Sequence, residues 1–342
     1  MMSMLATLAI VVAFIISALL SHRFCDPSSR FHLLDNPNER SLHTRPTPRS
    51  GGVAIFVALG VSTGFWSLGV ELTSLHYGLG AGVVFVSVLS FLDDRKSLSV
   101  GLRLPGHLFA ATLLVTGGLY LSEISLLGVA WVLPEWLVIP LSLLFLVWMT
   151  NLYNFMDGID GLAAGMTVVG FGTFALLGYL AGNPVFLTLN LVIVSAAAGF
   201  LVFNFPPARI FMGDTGSSLL GLSAGGVSIY GTRAGVFPFW VALLVFSPFI
   251  VDATVTLMRR FVQGEQVWRA HRSHYYQRLV QSGWGHRKTA LYEYALMLAC
   301  GLSALLVQKL DIQWQTTLIC LWFIGYVLLI TGVHRVEKKG SL

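Results

Sequence analysis

The sequence predicts an all-α polytopic membrane protein of about eleven transmembrane helices, N-terminus outside and C-terminus in the cytoplasm. Three observations predict it. The composition is 55% hydrophobic and only 11% charged, with a mean hydropathy of +0.75, whereas a soluble domain carries about 25% charged residues. Apolar runs of roughly 20 residues, the length that crosses a bilayer, recur along the whole chain. The Lys and Arg residues gather almost entirely on one side of those runs.

Taken in order, the runs cover 3–21, 52–70, 76–92, 104–122, 128–149, 162–182, 184–203, 216–232, 235–257, 290–307 and 313–332. They leave room for a single membrane domain over 1–342 and for no separate soluble one. The first run has no basic segment ahead of it and no small-residue cleavage site behind it, so it is expected to be retained as a span. The three cysteines have no C-x-x-C spacing and suggest neither a zinc site nor a redox pair.

Alternate loops carry nineteen of the 21 Lys and Arg residues, and the others carry only Arg233 and Lys309. Positive residues are retained in the cytoplasm, which sets the orientation. The net charge of +5 then faces anionic headgroups and phosphorylated substrates. The bilayer is a partner; nucleic acid is not expected to be one.

The motifs with chemical content all fall in the basic loops. The densest is N-L-Y-N-F-M-D-G-I-D-G, Asn151 to Gly161, at the end of a span. Its polar residues recur at every third position, so Asn154, Asp157 and Asp160 can converge on one ligand, and line up if the backbone tightens into a 3₁₀ turn. Oxygen donors of this kind suit Mg²⁺ and polar sugar or base groups. Asp93 and Asp94, in F-L-D-D-R-K-S, close the third span at its C-terminal end, where the helix dipole disfavours acids. Two adjacent carboxylates there point to a general base, with Lys96 beside them as a substrate ligand.

F-N-F-P-P-A-R-I-F-M-G-D-T-G-S-S, Phe203 to Ser218, places Asp214 between glycines at the start of the eighth span. Alone, Asp214 reads as well as a helix N-cap; with Asn204 and the other acids it reads as a Mg²⁺ ligand. Phe211 could stack on a base. His271 and His274, expected as i,i+3 neighbours on a helix, sit with Arg272 and Arg278 as candidates to hold a pyrophosphate. Arg45 and Arg49, in H-T-R-P-T-P-R-S-G-G, offer forked donors to phosphate and also serve topology. Asp252 lies two turns inside the ninth span, where an acid is functional by default unless paired. Acids, amides and arginines collected on one membrane face suit phosphoryl transfer between a cytoplasmic donor and a membrane-embedded acceptor. A transporter would place such groups near the midplane, and only Asp252 is partly so placed.

Four ordered motifs, D-D-R-K at 93–96, the 151–161 run, the 203–217 run and H-R-S-H at 271–274, make the chain similar to the polyprenyl-phosphate N-acetylhexosamine-1-phosphate transferases, glycosyltransferase family 4, over about residues 35–335. The resemblance implies transfer of a sugar 1-phosphate from a UDP-activated amino sugar to undecaprenyl phosphate, with release of UMP. It implies Mg²⁺, with Mn²⁺ as a substitute, a bacterial inner membrane, and a homodimer among the assemblies open to the chain. Carried residue by residue, it gives Asp214 the metal, with Asn154 and Asp157 near metal and donor. It gives Asp160 and Phe211 the uridine pocket, with Asn151, Asn204, Arg45, Lys96 and Arg272 as further substrate ligands. Asp93 matches the base for the prenyl phosphate, with Asp94 beside it, and His271 and His274 the donor-holding histidines. His-Arg-Ser-His departs from the triple histidine of the peptidoglycan branch and resembles enzymes that initiate O-antigen (lipopolysaccharide) or other surface polysaccharides.

Overall fold

The computed structural model describes residues 3–37, 41–267, 271–307 and 309–340. Arg40 and Arg269, two of the basic residues that set the orientation, lie outside them, as does the side chain of Lys339. In chain order the helices are α1 (Met4–Cys25), α2 (Gly51–Ser67), α3 (Ser74–Lys96), α4 (Val100–Thr116), α5 (Glu135–Phe155), α6 (Leu162–Leu180), α7 (Pro184–Asn204), α8 (Gly213–Arg233), α9 (Phe239–Val245), α10 (Ser247–Val262), α11 (Tyr275–Leu279), α12 (Gly285–Val307) and α13 (Ile312–Gly340).

Each of the eleven apolar runs meets a helix, with α9 and α10 sharing one. Fewer of these helices meet the length and hydropathy of a span. Seven do: α1, α3, α5, α6, α7, the continuous Tyr275–Val307 segment and α13. The α9–α10 pair, bent by 80°, makes an eighth if taken as one broken span. Pro248 stands in the first turn of α10, where a missing N–H is tolerated. α2 and α4 have 17 residues each, about 26 Å at roughly 1.5 Å per residue, short of a hydrocarbon core of about 30 Å.

The runs expected at 104–122 and 128–149 are cut back by a β-hairpin. Gly117 and Gly118 end α4. β3 (Glu123–Leu126) then pairs antiparallel with β4 (Val129–Val132) around Leu127 and Gly128. Both turn residues have positive φ, 53° and 76°, the geometry that matches the twist of a two-residue hairpin. The apolar V-A-W-V of β4 extended the apparent span because a short apolar run does not separate strand from helix. A shorter ladder joins β1 (Leu34–Asp35) to β2 (Thr47–Pro48) in the loop before α2.

The core is organised on α8. Every residue from Thr215 to Gly231 is buried, with α3 and α5 packed along its sides and α2 against it. Glycine permits this approach: a Cβ on Gly221 would stand 2.6 Å from the Met149 carbonyl oxygen of α5. The N-terminus of α8 thereby opens at the centre of one face of the bundle.

Candidate active site

Two neighbouring elements fix the start of α8. The Gly51 and Gly52 amides donate to the carbonyls of Phe211 (3.0 Å) and Met212 (2.8 Å). Asp94, in the last turn of α3, accepts from the amides of Asp214 (3.0 Å) and Thr215 (2.9 Å) and from the Thr215 hydroxyl (2.6 Å). An acid misplaced for its own helix therefore satisfies the positive end of another. Asp93 points elsewhere. Its carboxylate accepts from the Leu98 amide (2.6 Å) and pairs with Arg103 (3.2 Å). The same arginine reaches to 3.7 Å from Asp214. The side chains of Asp93 and Asp94 thus diverge, and each is buried with donors of its own.

The Asn151–Gly161 stretch is part helix, part turn. α5 ends at Phe155, so Asn154 lies in its last turn while Asp157 and Asp160 lie on the link to α6. Gly161 takes a φ of 77°; its amide donates to Asn204 Oδ1 (2.9 Å), and Tyr294 Oη donates to its carbonyl (2.7 Å). Asn154 Nδ2 donates to Asp214 Oδ1 (2.7 Å) and Ser217 Oγ (3.1 Å). Asp160 accepts from the Ala208 amide (2.9 Å) and pairs with His286 (3.0 Å). Asp157 accepts no hydrogen bond from the described residues. Burial, and then the charges of Asp214, Asp94 and Asp160, push its carboxyl well above the usual carboxylate range.

Asp94, Asn154, Asp157, Asp160 and Asp214 line one cavity of about 310 Å³. Phe211 closes part of the wall, its ring meeting His43 edge-on at 4.9 Å between centroids. An adjoining pocket shares Asp160, Phe211, His43 and His286 and adds Arg45 and Arg287. Nearby, an almost wholly apolar groove of about 510 Å³ runs between α4, α5 and α10, with Asn151 and Phe155 among its lining.

Several candidates stand apart from the cavity or are bound into the scaffold. Asn204 lines it, but its amide is committed to the Gly161 amide and the Ile210 carbonyl. Asn151 donates to Val147 and faces the apolar groove. Lys96 is exposed and makes no hydrogen bond or ion pair among the described residues. Arg272 is exposed on a different pocket.

The helix expected to carry His271 and His274 begins only at Tyr275, with His274 as its N-cap. The two rings still stack, 4.8 Å apart. His274 is held by Asp252 (3.1 Å), which also accepts from the amides of Tyr275 and Tyr276. Asp252 is thus a paired acid that caps α11. Burial, then the positive field of His274 and the arginines, pushes His271 down to about 4, so its ring is neutral at neutral pH and bears no charge for a pyrophosphate. Gln277, one turn on, is the α11 residue that lines the cavity.

Sequence reasoning missed His43, Gln277 and His286, all on the cavity wall, where Arg49, expected to offer forked donors to phosphate, also stands. Arg49 donates to the Asp94 carbonyl and stands 3.8 Å from Asp35. The one sequence signal for His286 is its place between flexible and basic residues, after Gly283 and Gly285, both at positive φ.

Asp157 and Asp214 offer oxygen donors, the type that suits Mg²⁺. Among the described residues no three His, Cys, Asp or Glu side chains converge as a metal-binding group. Asp157 and Asp214 face one space, with Asp157 lacking a hydrogen-bond donor, which suits an ion held by one or two carboxylates plus substrate phosphates.

A family model described as glycosyl transferase family 4 matches residues 76–232. The chain is 33% identical to the probable undecaprenyl-phosphate N-acetylglucosaminyl 1-phosphate transferase of Bacillus subtilis, over 96% of this chain and 93% of that protein. It is 34% identical to the decaprenyl-phosphate N-acetylglucosaminephosphotransferase of Mycobacterium tuberculosis (78% of this chain, 74% of that protein). It is 37% identical to the phospho-N-acetylmuramoyl-pentapeptide-transferase of Granulibacter bethesdensis (57% and 62%).

Proposed function

As the chain belongs to glycosyl transferase family 4, we propose that it transfers an N-acetylhexosamine 1-phosphate from a UDP-sugar to undecaprenyl phosphate, releasing UMP. One observation carries the reading: carboxylates from α3, the α5–α6 link and α8 meet in one cavity at the helix ends, near an apolar groove. Such a site lets a water-soluble donor meet an acceptor whose isoprenoid tail stays in lipid.

Asp214 and Asp157 would hold Mg²⁺, which when bound neutralises the diphosphate and the charge that develops on the leaving UMP. Asn154 and Arg103 orient Asp214. The Asp160–His286 pair, with Phe211 and His43, forms the side suited to uridine, and Arg45 lines the approach. An oxygen of the prenyl phosphate attacks the sugar-linked phosphorus; that P–O bond forms as the bond to the UMP phosphate breaks, and UMP leaves with the electron pair. Asp157, which accepts no hydrogen bond from the described residues, has both carboxylate oxygens free to face the metal and the phosphates. Asp93, bound by Arg103, supports Asp214 from behind.

All eleven helical segments are read as crossing a bacterial inner membrane, with the site in the cytoplasm; the distribution of Lys and Arg supports this. The His-Arg-Ser-His sequence supports surface-polysaccharide initiation, O-antigen included, over the peptidoglycan branch. The test is UMP release by membranes containing the chain, given undecaprenyl phosphate, Mg²⁺ and a panel of UDP-sugars headed by UDP-N-acetylglucosamine. Release with one amino sugar, abolished by Asp214→Asn, is expected. No release from any UDP-N-acetylhexosamine would reject the function. Release by Asp214→Asn at the wild-type rate would reject the site.

A further inference from the structure

The cavity uses one side of α11, through Gln277. On the other side Arg278 turns into a separate pocket of about 530 Å³, walled by the end of α10, the 272–273 segment and the last turns of α13. The charges in its lining are Arg259, Arg272 and Arg278 against one carboxylate, Glu337. Arg278, 8% exposed, is committed: it donates to both oxygens of Glu337 and stands 3.3 Å from His334 Nε2. Arg259 donates to the Ser273 carbonyl at 2.8 Å. Tyr275 fixes both guanidinium groups, 5.5 Å and 5.1 Å from its ring centroid. Neither Arg259 nor Arg272 forms an ion pair with an acid among the described residues, and Glu337, bound by Arg278, is the one carboxylate in the field of Arg259. The pocket therefore presents two forked cations in excess over its single carboxylate, with Arg259 held in place by Tyr275.

Its position says what reaches it. No residue in the apolar window of α13 is fully buried by the protein, so α13 is a perimeter helix. At 29 residues it is about 43 Å long at roughly 1.5 Å per residue, more than a hydrocarbon core of about 30 Å. The turns bearing His334 and Glu337 then stand at headgroup depth. On α10 the exposed side chains around Arg259 are apolar: Met258, Phe261 and Val262. An anion approaching sideways, with hydrocarbon attached, meets apolar surface on both helices and arginines at the pocket.

We propose that this pocket binds the phosphate of an anionic phospholipid headgroup, with the acyl chains along the exposed faces of α10 and α13. Phosphate oxygens match the guanidinium fork, and basic pockets between membrane helices hold such headgroups. A choline headgroup brings its own cation, which Arg259 and Arg272 repel. The headgroup pocket shares no lining residue with the catalytic cavity, although Met258, Phe261 and Val262 also line the apolar groove.

Native mass spectrometry of the full chain in detergent tests it, with phosphatidylglycerol or phosphatidylcholine of matched chains added. Phosphatidylglycerol should be retained preferentially. Arg259→Gln and Arg272→Gln should each reduce its retention by about tenfold, the worth of one charge-assisted hydrogen bond. Arg272 is exposed, so its variant should keep the wild-type Tm, which separates lost binding from misfolding. Equal retention of the two lipids, or wild-type retention in Arg272→Gln, would overturn the proposal. So would displacement of the lipid by inorganic phosphate or UMP, which would assign the pocket to a soluble anion.

Discussion

Asp94→Asn distinguishes the two roles that an acid at this position can have. In the structure both Asp94 oxygens serve the start of α8, through three donors. Asparagine keeps one acceptor and turns an NH₂ towards a donor. The best fit keeps the oxygen on the two Thr215 donors and leaves the Asp214 amide unpaired, a buried loss of about 1–3 kcal/mol. Loss of the negative charge at a helix N-terminus adds roughly 0.3–1 kcal/mol. The variant should therefore lose about 1–4 kcal/mol, and Asp94→Ala more, since all three donors are orphaned. The assay is thermal unfolding of the purified chain in detergent, run beside UMP release. A Tm several degrees lower is expected, with activity falling as Asp214 shifts. An unchanged Tm with activity abolished would refute the capping role and restore Asp94 to the reaction.

Asp157→Asn should behave in the opposite way: it removes a carboxylate crowded by three others and held by no donor, so Tm in metal-free buffer should rise while activity falls by about 10²-fold or more; a lower Tm would contradict the crowding. Because burial and like charges raise the Asp157 carboxyl in the folded chain, its contribution to stability is present below the ordinary carboxylate range and lost as pH rises through the folded value. Metal-free wild type should thus lose Tm as pH rises above the ordinary carboxylate range, more steeply than Asp157→Asn; parallel profiles would remove Asp157 as the cause. Gly52→Ala would place a Cβ 2.1 Å from the Gly216 amide nitrogen, so α2 and α8 must part, with a loss of about 1–3 kcal/mol or more and of Asp214 geometry. A wild-type Tm for that variant would show the approach to be looser than described.

Helices were legible because hydropathy over twenty residues is a strong signal, and the acids of 151–161 and Asp214 were legible because polar groups at span ends are conspicuous. Asp94 was conspicuous for the same reason, yet its role was not readable: the helix end it serves is 120 residues away in sequence. Asp252 hid its partners similarly, since His274 and the α11 amides belong to a segment with no apolar periodicity. The hairpin at 123–132 was masked by its own hydrophobicity. His43 carries no local pattern and His286 only a weak one; they become site residues only when the loop before α2 and the start of α12 fold over the α8 end.

The full enclosure of α8 bears on how the chain enters its membrane. A helix touched by protein from Thr215 to Gly231 has no lipid to satisfy, and its sequence is rich in glycine and serine, too polar to pass as a span by itself. During synthesis such a segment gains little from partitioning into lipid alone. It is expected to settle only once α3 and α5, made earlier, offer it a protein lining. Assembly of the catalytic centre and integration of its central helix would then be one event, and a chain truncated before α8 would be left with an open cleft where that helix belongs.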